Sequence, residues 1–240
     1  MAQRRKKRRG ERSTRDRFIG RSLRVQVKTA RGRKVSSTRW LDRQLNDRYV
    51  QEARRLGYRS RAAFKLLQID EKFQLFRAGH RVVDLGAAPG GWTQIAVKRV
   101  QSDIGSGRVV AVDTQEMDPI TGSVAVCMDV GEALIARVAR DALGGPADIV
   151  LSDMAAAITG HKATDHLRTV VLCELAHTFA VEVLKPGGSL VMKAFDGGAH
   201  QDLTAQIKQD FDKTRTVKPD ASRPESPETY IVASGFRRRE

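Results

Sequence analysis

Short apolar segments that each end near a polar residue recur through most of this chain, and helical stretches separate them. His80-Arg-Val-Val-Asp-Leu-Gly, Arg108–Asp113, Ser123–Asp129, Asp148–Asp153 and Ser189–Lys193 have this form. Thr214–Lys218 and Thr229–Ser234 add two more β-like runs near the end. Between them, residues 91–101, 131–142, 165–184 and 200–212 have helical spacing, the third closed by Lys-Pro-Gly-Gly. Strands that are apolar along their length, alternating with helices, bury both faces of a sheet, so the pattern requires a mostly parallel sheet. The fold class is therefore α/β, with a seven-stranded, mostly parallel sheet and helices on both faces. In such sheets ligands bind beyond the carboxyl ends of the strands. Asp84, Asp113, Asp153 and Lys193 stand at or near those ends, so they are expected to converge on one cleft.

Two helices precede the sheet. One is expected over residues 37–57, with Trp40, Leu41, Leu45, Tyr49 and Val50 on an apolar face. The other runs from Ser60, read as its N-cap, to Phe73. Ahead of both, residues 1–34 hold 15 basic and 2 acidic side chains, out of 43 and 28 in the 240-residue chain. The whole chain carries a formal +15, whereas residues 35–240 carry only +2. The expected organisation is a basic, disordered extension over residues 1–36 and a single domain over 37–240. A block of mobile cations gains counterion-release entropy beside phosphates whatever their sequence, so a polyanionic partner is expected.

The sequence excludes several alternatives. Its longest apolar runs fall short of the ~18 residues of a membrane span, and the N-terminus lacks the apolar stretch of a secretory signal. A cytoplasmic protein with no membrane association is expected. Cys127 and Cys173 are the only cysteines, which removes a disulfide scaffold, and no metal-ligand spacing is present. Both cysteines are expected to be small buried residues. No metal is expected, and a monomer is the default.

The loop after the first strand, Asp84-Leu-Gly-Ala-Ala-Pro-Gly-Gly-Trp92, is rich in glycine and alanine and leads into a helix. Such a turn lets a ligand approach the backbone closely. It lacks the second glycine of G-x-G-x-x-G, so a dinucleotide is disfavoured. Asp113 closes the second strand, where ribose hydroxyls are commonly held, and Asp129 closes the third, where an adenine amine could be met. Together they suit a nucleoside-like cofactor without a pyrophosphate, and S-adenosylmethionine fits that description.

Four blocks extend this reading: DLGAAPGGWTQ, LSDMAAAITG, VLKPGGSLVMKAF and KPDASRPESPETYIVASGF. Together they closely resemble the FtsJ/RrmJ (RlmE) family of bacterial methyltransferases, over roughly residues 36–236. The resemblance implies a Rossmann-like, S-adenosyl-L-methionine-dependent methyltransferase. Its expected activity is methylation of the ribose 2′-hydroxyl of a uridine in 23S rRNA, with the 50S ribosomal subunit as the setting. It implies cofactor contacts from Gly90, Trp92, Asp113, Asp129 and Asp153. It also implies a catalytic tetrad of Lys65, Asp153, Lys193 and Glu228, with Lys193 the proton acceptor. A lysine can act as a base where burial or a second cation favours its neutral form. Lys193 follows a run of apolar and small residues, which suits a buried stem. Alternatives are the same chemistry on tRNA or another RNA, and a non-catalytic ribosome-assembly factor with the same fold. Arg54, Arg55, Arg59 and Arg61 are candidate phosphate contacts, with Arg223 and Arg237–Arg239 as weaker ones; His161 and His166 are read as structural.

Overall fold

The computed structural model describes residues 41–237 apart from 43, 158 and 196–200. The chain divides into two units, Met1–Gly57 and Tyr58–Glu240. The basic extension expected over residues 1–36 lies outside the described residues.

Within the first unit, α1 spans Arg48–Leu56. It does not continue the helical residues before it, because Asp47 breaks the run and caps α1 by accepting from the Tyr49 N–H at 3.0 Å. Gly57, at φ 74°, ends the helix in the left-handed conformation that glycine tolerates.

The second unit contains α2 (Ala63–Phe73), β1 (Arg81–Leu85), α3 (Gly91–Val100), β2 (Arg108–Asp113) and β3 (Ser123–Cys127). It continues through α4 (Ile135–Leu143), β4 (Ala147–Ser152), α5 (Lys162–Val183) and β5 (Leu184–Phe195). The last elements are α6 (Gln201–Asp210), β6 (Phe211–Val217) and β7 (Glu228–Phe236). Seven strands form one sheet in the order β3-β2-β1-β4-β5-β7-β6. The pairs from β3 through β5 are parallel, and β7 runs antiparallel to both its neighbours. This is the expected mostly parallel α/β sheet.

Strand periodicity divides the core into two layers. Val83, Leu85, Val110, Val112, Val150, Leu190 and Met192 face α4, α5 and α6. Val82, Val109, Ile149, Leu151, Val191, Tyr230 and Val232 face α2 and α3. Successive side chains on a strand alternate faces, so each central strand feeds both layers. Both sheet faces are therefore covered, as its apolar central strands require.

Three local expectations change. Ser60 is not the cap of α2; the helix starts after Ala62, without a side-chain cap. Lys185–Gly188 do not merely close a helix, because β5 begins at Leu184 directly after α5. There the β4–β5 register jumps from Ala147↔Leu184 to Ile149↔Ser189, which makes those four residues an irregularity of the strand. Cys173 is buried as expected, but Cys127 is exposed on the edge strand β3, and both are free. No helix among the described residues is long and apolar enough to cross a membrane.

Candidate active site

Strand register assembles the chemistry. In the antiparallel β5–β7 pair, Lys193 lies opposite Tyr230 and Phe195 opposite Glu228. Lys193, Tyr230 and Glu228 therefore share a face, since residues two apart on a strand do so. On the other side of β5, Ser152 pairs with Met192, so the next residue, Asp153, emerges beside Lys193. Helix α2 crosses this face and brings Lys65 down onto it.

The result is a compact cluster. Lys65 Nζ donates to Glu228 Oε2 at 2.8 Å and to the Tyr230 hydroxyl at 3.0 Å, and forms an ion pair with Glu228 Oε1 at 2.7 Å. Lys193 Nζ lies 2.8 Å from both Oδ1 and the main-chain O of Asp153. The Tyr230 hydroxyl donates to Asp153 Oδ1 at 2.7 Å. Longer ion pairs, Lys65–Asp153 and Lys193–Glu228 at 3.9 Å each, close the ring. Both lysines are only 9 % exposed, so the expected burial of the Lys193 stem is present. Two cations and two carboxylates balance, which is how buried charge is tolerated. Burial raises the Asp153 pKa, but the Lys193 and Lys65 charges, with hydrogen bonds from Lys193 and Tyr230, outweigh it and hold the pKa below its ordinary value. For Tyr230, burial and then the neighbouring Asp153 and Glu228 push the hydroxyl pKa well up.

Beside the cluster is a cavity of about 400 Å³ at the carboxyl ends of β1 to β4. Its polar wall includes Asp113, Asp129 and Asp153; its apolar wall includes Met128, Leu172 and Leu175. Asp113 is held by the glycine loop, accepting from Ala88 N at 2.9 Å and from Gln115 N at 2.8 Å. Asp129 accepts from Gly131 N at 2.7 Å through Oδ1, and its Oδ2 has no protein partner among the described residues. Gly86 holds φ at 69°, and a Cβ there would come within 2.7 Å of Met154 Cγ and 2.9 Å of its Cα. Only glycine lets the β1 and β4 loops meet this closely.

The expected convergence is partial. Asp113 and Asp153 line the cavity, and Lys193 is bonded to Asp153. Asp84 does not line it; the side chain is fully buried on the α3 side of β1 and accepts from Thr93 Oγ1 at 2.6 Å. Of the residues singled out for the cofactor, Asp113, Asp129 and Asp153 line the cavity, whereas Gly90, the N-cap of α3, and Trp92, in its first turn, are not among its lining residues. The Trp92 side chain is core: its Nε1 donates to Ala62 O at 2.8 Å, and its ring packs 5.6 Å from that of Tyr230. Trp92 has only its main chain to offer a ligand.

Several arginines have structural work. Arg59 donates to the carbonyls of Pro89, Asp118 and Pro119, at 3.2, 2.6 and 2.8 Å. Arg61 donates to Ala221 O, Arg55 pairs with Glu52, and Arg237 pairs with Asp212. His161 caps α5, accepting from Thr164 N, as its structural reading implies. Arg238 and Arg239 lie outside the described residues.

Sequence reasoning missed Tyr230 and Ser222. Tyr230 stands two residues beyond Glu228 on the same strand, so strand periodicity alone was a signal for it. Ser222 donates to Glu228 Oε1 at 2.7 Å from an irregular segment, which no periodicity reveals.

Relatives of the chain by sequence are numerous. A protein named ribosomal RNA large subunit methyltransferase E from Paramagnetospirillum magneticum is 56 % identical over 219 residues, covering 90 % of each chain. One of the same name from Jannaschia sp. is 53 % identical and covers 92 % of this chain and 95 % of its own. Among solved structures, one described as a ribosomal RNA methyltransferase from Plasmodium falciparum matches at a TM-score of 0.66 and 27 % identity. It covers 76 % of this chain and 100 % of its own. The profile of the FtsJ-like methyltransferases matches residues 58–236, the stretch that holds the whole sheet, the cavity and the lysine–carboxylate cluster. By sequence, by fold and by extent, the chain belongs to the FtsJ-like methyltransferase family.

Proposed function

We propose that this enzyme transfers the methyl group of S-adenosyl-L-methionine to the ribose 2′-hydroxyl of a uridine in 23S rRNA of the large ribosomal subunit. The observation that carries this reading is the Lys65–Asp153–Lys193–Glu228 cluster, buried and balanced, at the edge of the cavity.

The residues present fit the cofactor. A cavity of about 400 Å³ lies within the ~300–1,000 Å³ range of small-molecule sites. Asp113 is placed for ribose hydroxyls and Asp129, with its second oxygen uncommitted, for an exocyclic amine. Met128, Leu172 and Leu175 offer flat apolar contact to a base. Gly90 and Trp92 contribute main chain at the start of α3, where helix N–H groups suit a carboxylate. When bound, S-adenosylmethionine supplies an electrophilic methyl group on a sulfonium sulfur.

What remains for the protein is to align a weak nucleophile and take its proton. Lys193 Nζ directs two of its positions at Asp153 O and Oδ1, which leaves the third for the ribose hydroxyl. Lys65 is taken up by Glu228, through both carboxylate oxygens, and by the Tyr230 hydroxyl. That division suits Lys193 as proton acceptor and Lys65 as a fixed positive charge near the reacting oxygen. Asp153 holds both Lys193 and Tyr230, while Glu228 holds Lys65.

A monomer acting in the cytoplasm, where rRNA is met, is part of this reading. Residues 1–36 are read as a polyanion-binding arm that adds affinity for RNA. Transfer of labelled methyl to undermethylated 50S subunits, free 23S RNA and bulk tRNA tests the reading. Methylation of a single ribose of a uridine in 50S particles is expected; labelling of tRNA alone would replace the substrate.

A further inference from the structure

We propose that Asp84, buried on the α3 side of β1, selects the cationic methyl donor over its neutral product by giving up a proton when a positive charge enters the cavity and regaining it when that charge is lost. The proposal rests on reading the cavity as the S-adenosylmethionine site.

Three observations lead to it. Asp84 is 0 % exposed, on the face of β1 that meets α3. One carboxyl oxygen, Oδ2, accepts from Thr93 Oγ1 at 2.6 Å, while Oδ1 is buried with no partner among the described residues. The charged groups that act on it are both acids, Asp153 after β4 and Asp113 at the end of β2, and both line the cavity. No cation among the described residues compensates it directly, because Lys193 and Lys65 direct their donors to Asp153, Glu228 and Tyr230. A buried carboxylate with one oxygen unpartnered and two other acids acting on it favours its neutral form. Burial is the largest cause and, with Asp153 and Asp113, pushes its pKa up to about 7 against opposing hydrogen bonds from the Thr93 hydroxyl and main chain.

A buried acid of this kind lacks only a positive charge to become ionised. A sulfonium ion in a cavity walled by Asp113 and Asp153 provides that charge, and the Asp84 proton passes to bulk solvent. After methyl transfer the thioether is neutral, and Asp84 takes a proton back from solvent. The two exchanges cancel over a turnover, and the ribose proton travels separately through Lys193. Donor binding therefore strengthens as pH rises through the Asp84 range and levels off above it. Product binding changes little. The ratio of product to donor dissociation constants should rise about five- to tenfold between roughly pH 6 and 8.

Calorimetry on the full chain tests this without turnover. Titrations with S-adenosylmethionine and with S-adenosylhomocysteine at about pH 7, in two buffers of different ionisation enthalpy, count protons. Release of up to about half a proton with the donor and almost none with the product is expected. Asp84→Asn should abolish the release and flatten the pH dependence. Thr93→Val removes the hydroxyl hydrogen bond, the larger of the two from Thr93 that favour ionisation, so it should move the midpoint to higher pH, and it serves if Asp84→Asn fails to fold. Equal release with both ligands overturns the proposal. So does release that survives Asp84→Asn, which would belong to Lys193, or an unmoved midpoint in Thr93→Val. Donor binding without any proton exchange overturns it while leaving the function standing; absence of donor binding would instead overturn the reading of the cavity.

Discussion

Lys193 is gripped twice by one residue: its Nζ meets both the main-chain O and the Oδ1 of Asp153 at 2.8 Å. The grip follows from the β4–β5 register, which places Asp153 one step beyond the Ser152↔Met192 pair. Because one contact is to backbone, rotation of the Asp153 side chain alone cannot release the amine.

Lys193→Ala should lower methyl transfer to 50S subunits by at least ~10²-fold, the scale of general acid–base catalysis, with little change in donor affinity. Lys193→Arg should be similarly inactive, because a guanidinium keeps its positive charge and has no lone pair to accept a proton. Labelled-methyl assays and donor calorimetry measure the two halves. An active arginine variant would remove Lys193 as the base.

Tyr230→Phe keeps the ring packed on Trp92 but removes the hydroxyl shared by Lys65 and Asp153. The loss should cost about 1–3 kcal/mol of stability, since buried polar partners lose a hydrogen bond. Turnover should fall about tenfold through misplacement of Asp153 and Lys193. Denaturant unfolding and single-turnover rates report these separately; a fully active variant would show that the hydroxyl is dispensable for alignment.

Gly86→Ala puts a Cβ against Met154 in a loop residue at φ 69°. Backbone strain and crowding together should cost about 2–4 kcal/mol. For a chain of this size the expected fall in Tm is roughly 5–10 °C. Donor affinity should weaken as well, because both Gly86 and Met154 line the cavity. Unchanged melting would mean that the β1 and β4 loops part easily.

Asp84 and Asp153 have opposite pH signatures. Asp84 binds a proton more tightly folded than unfolded, so its contribution is full at low pH and is lost as pH rises from its ordinary 3.8 to about 7. The slope through that window is roughly 1.4 kcal/mol per pH unit from this residue. Asp153 has a lowered folded pKa, so its contribution is present above its ordinary 3.8 and is lost on further acidification. Asp84→Asn should therefore flatten the loss of stability between about pH 4 and 7 in the ligand-free protein. Isothermal unfolding across this range reads the slope, and an unaltered slope would rule out Asp84 as its source.

Deleting residues 1–34 removes 15 basic and 2 acidic side chains. Donor affinity should stay unchanged, while RNA affinity falls and its dependence on log salt becomes shallower. Filter binding across a salt series checks this. An unaltered slope would leave the segment without a part in RNA binding.

Much of this enzyme is legible in its sequence. The apolar strand runs and their helical spacers required a parallel sheet, because an unbroken Val/Ile/Leu strand cannot face water on either side. The glycine loop, Asp113 and Asp129 marked a nucleoside pocket, and those two acids do line the cavity. Other features needed long-range pairing. Asp84 and Asp113 look equivalent as polar residues near strand ends. Yet the pleat turns Asp84 towards α3 and into the core, while Asp113 lies at the loop. Trp92 sits in the glycine-loop motif, but its indole belongs to the core.

The sequence by itself determined the residue types of the site, their order along the chain and the α/β alternation, because these follow from local composition and periodicity. Only the tertiary structure decided which side chains meet. The β5–β7 register sets Lys193 opposite Tyr230, the β4–β5 register sets Asp153 beside Lys193, and α2 carries Lys65 across to Glu228, which lies 163 residues away in sequence. A one-residue slip in either strand pair would send these side chains to the opposite face, so the site depends on the packing of the whole sheet.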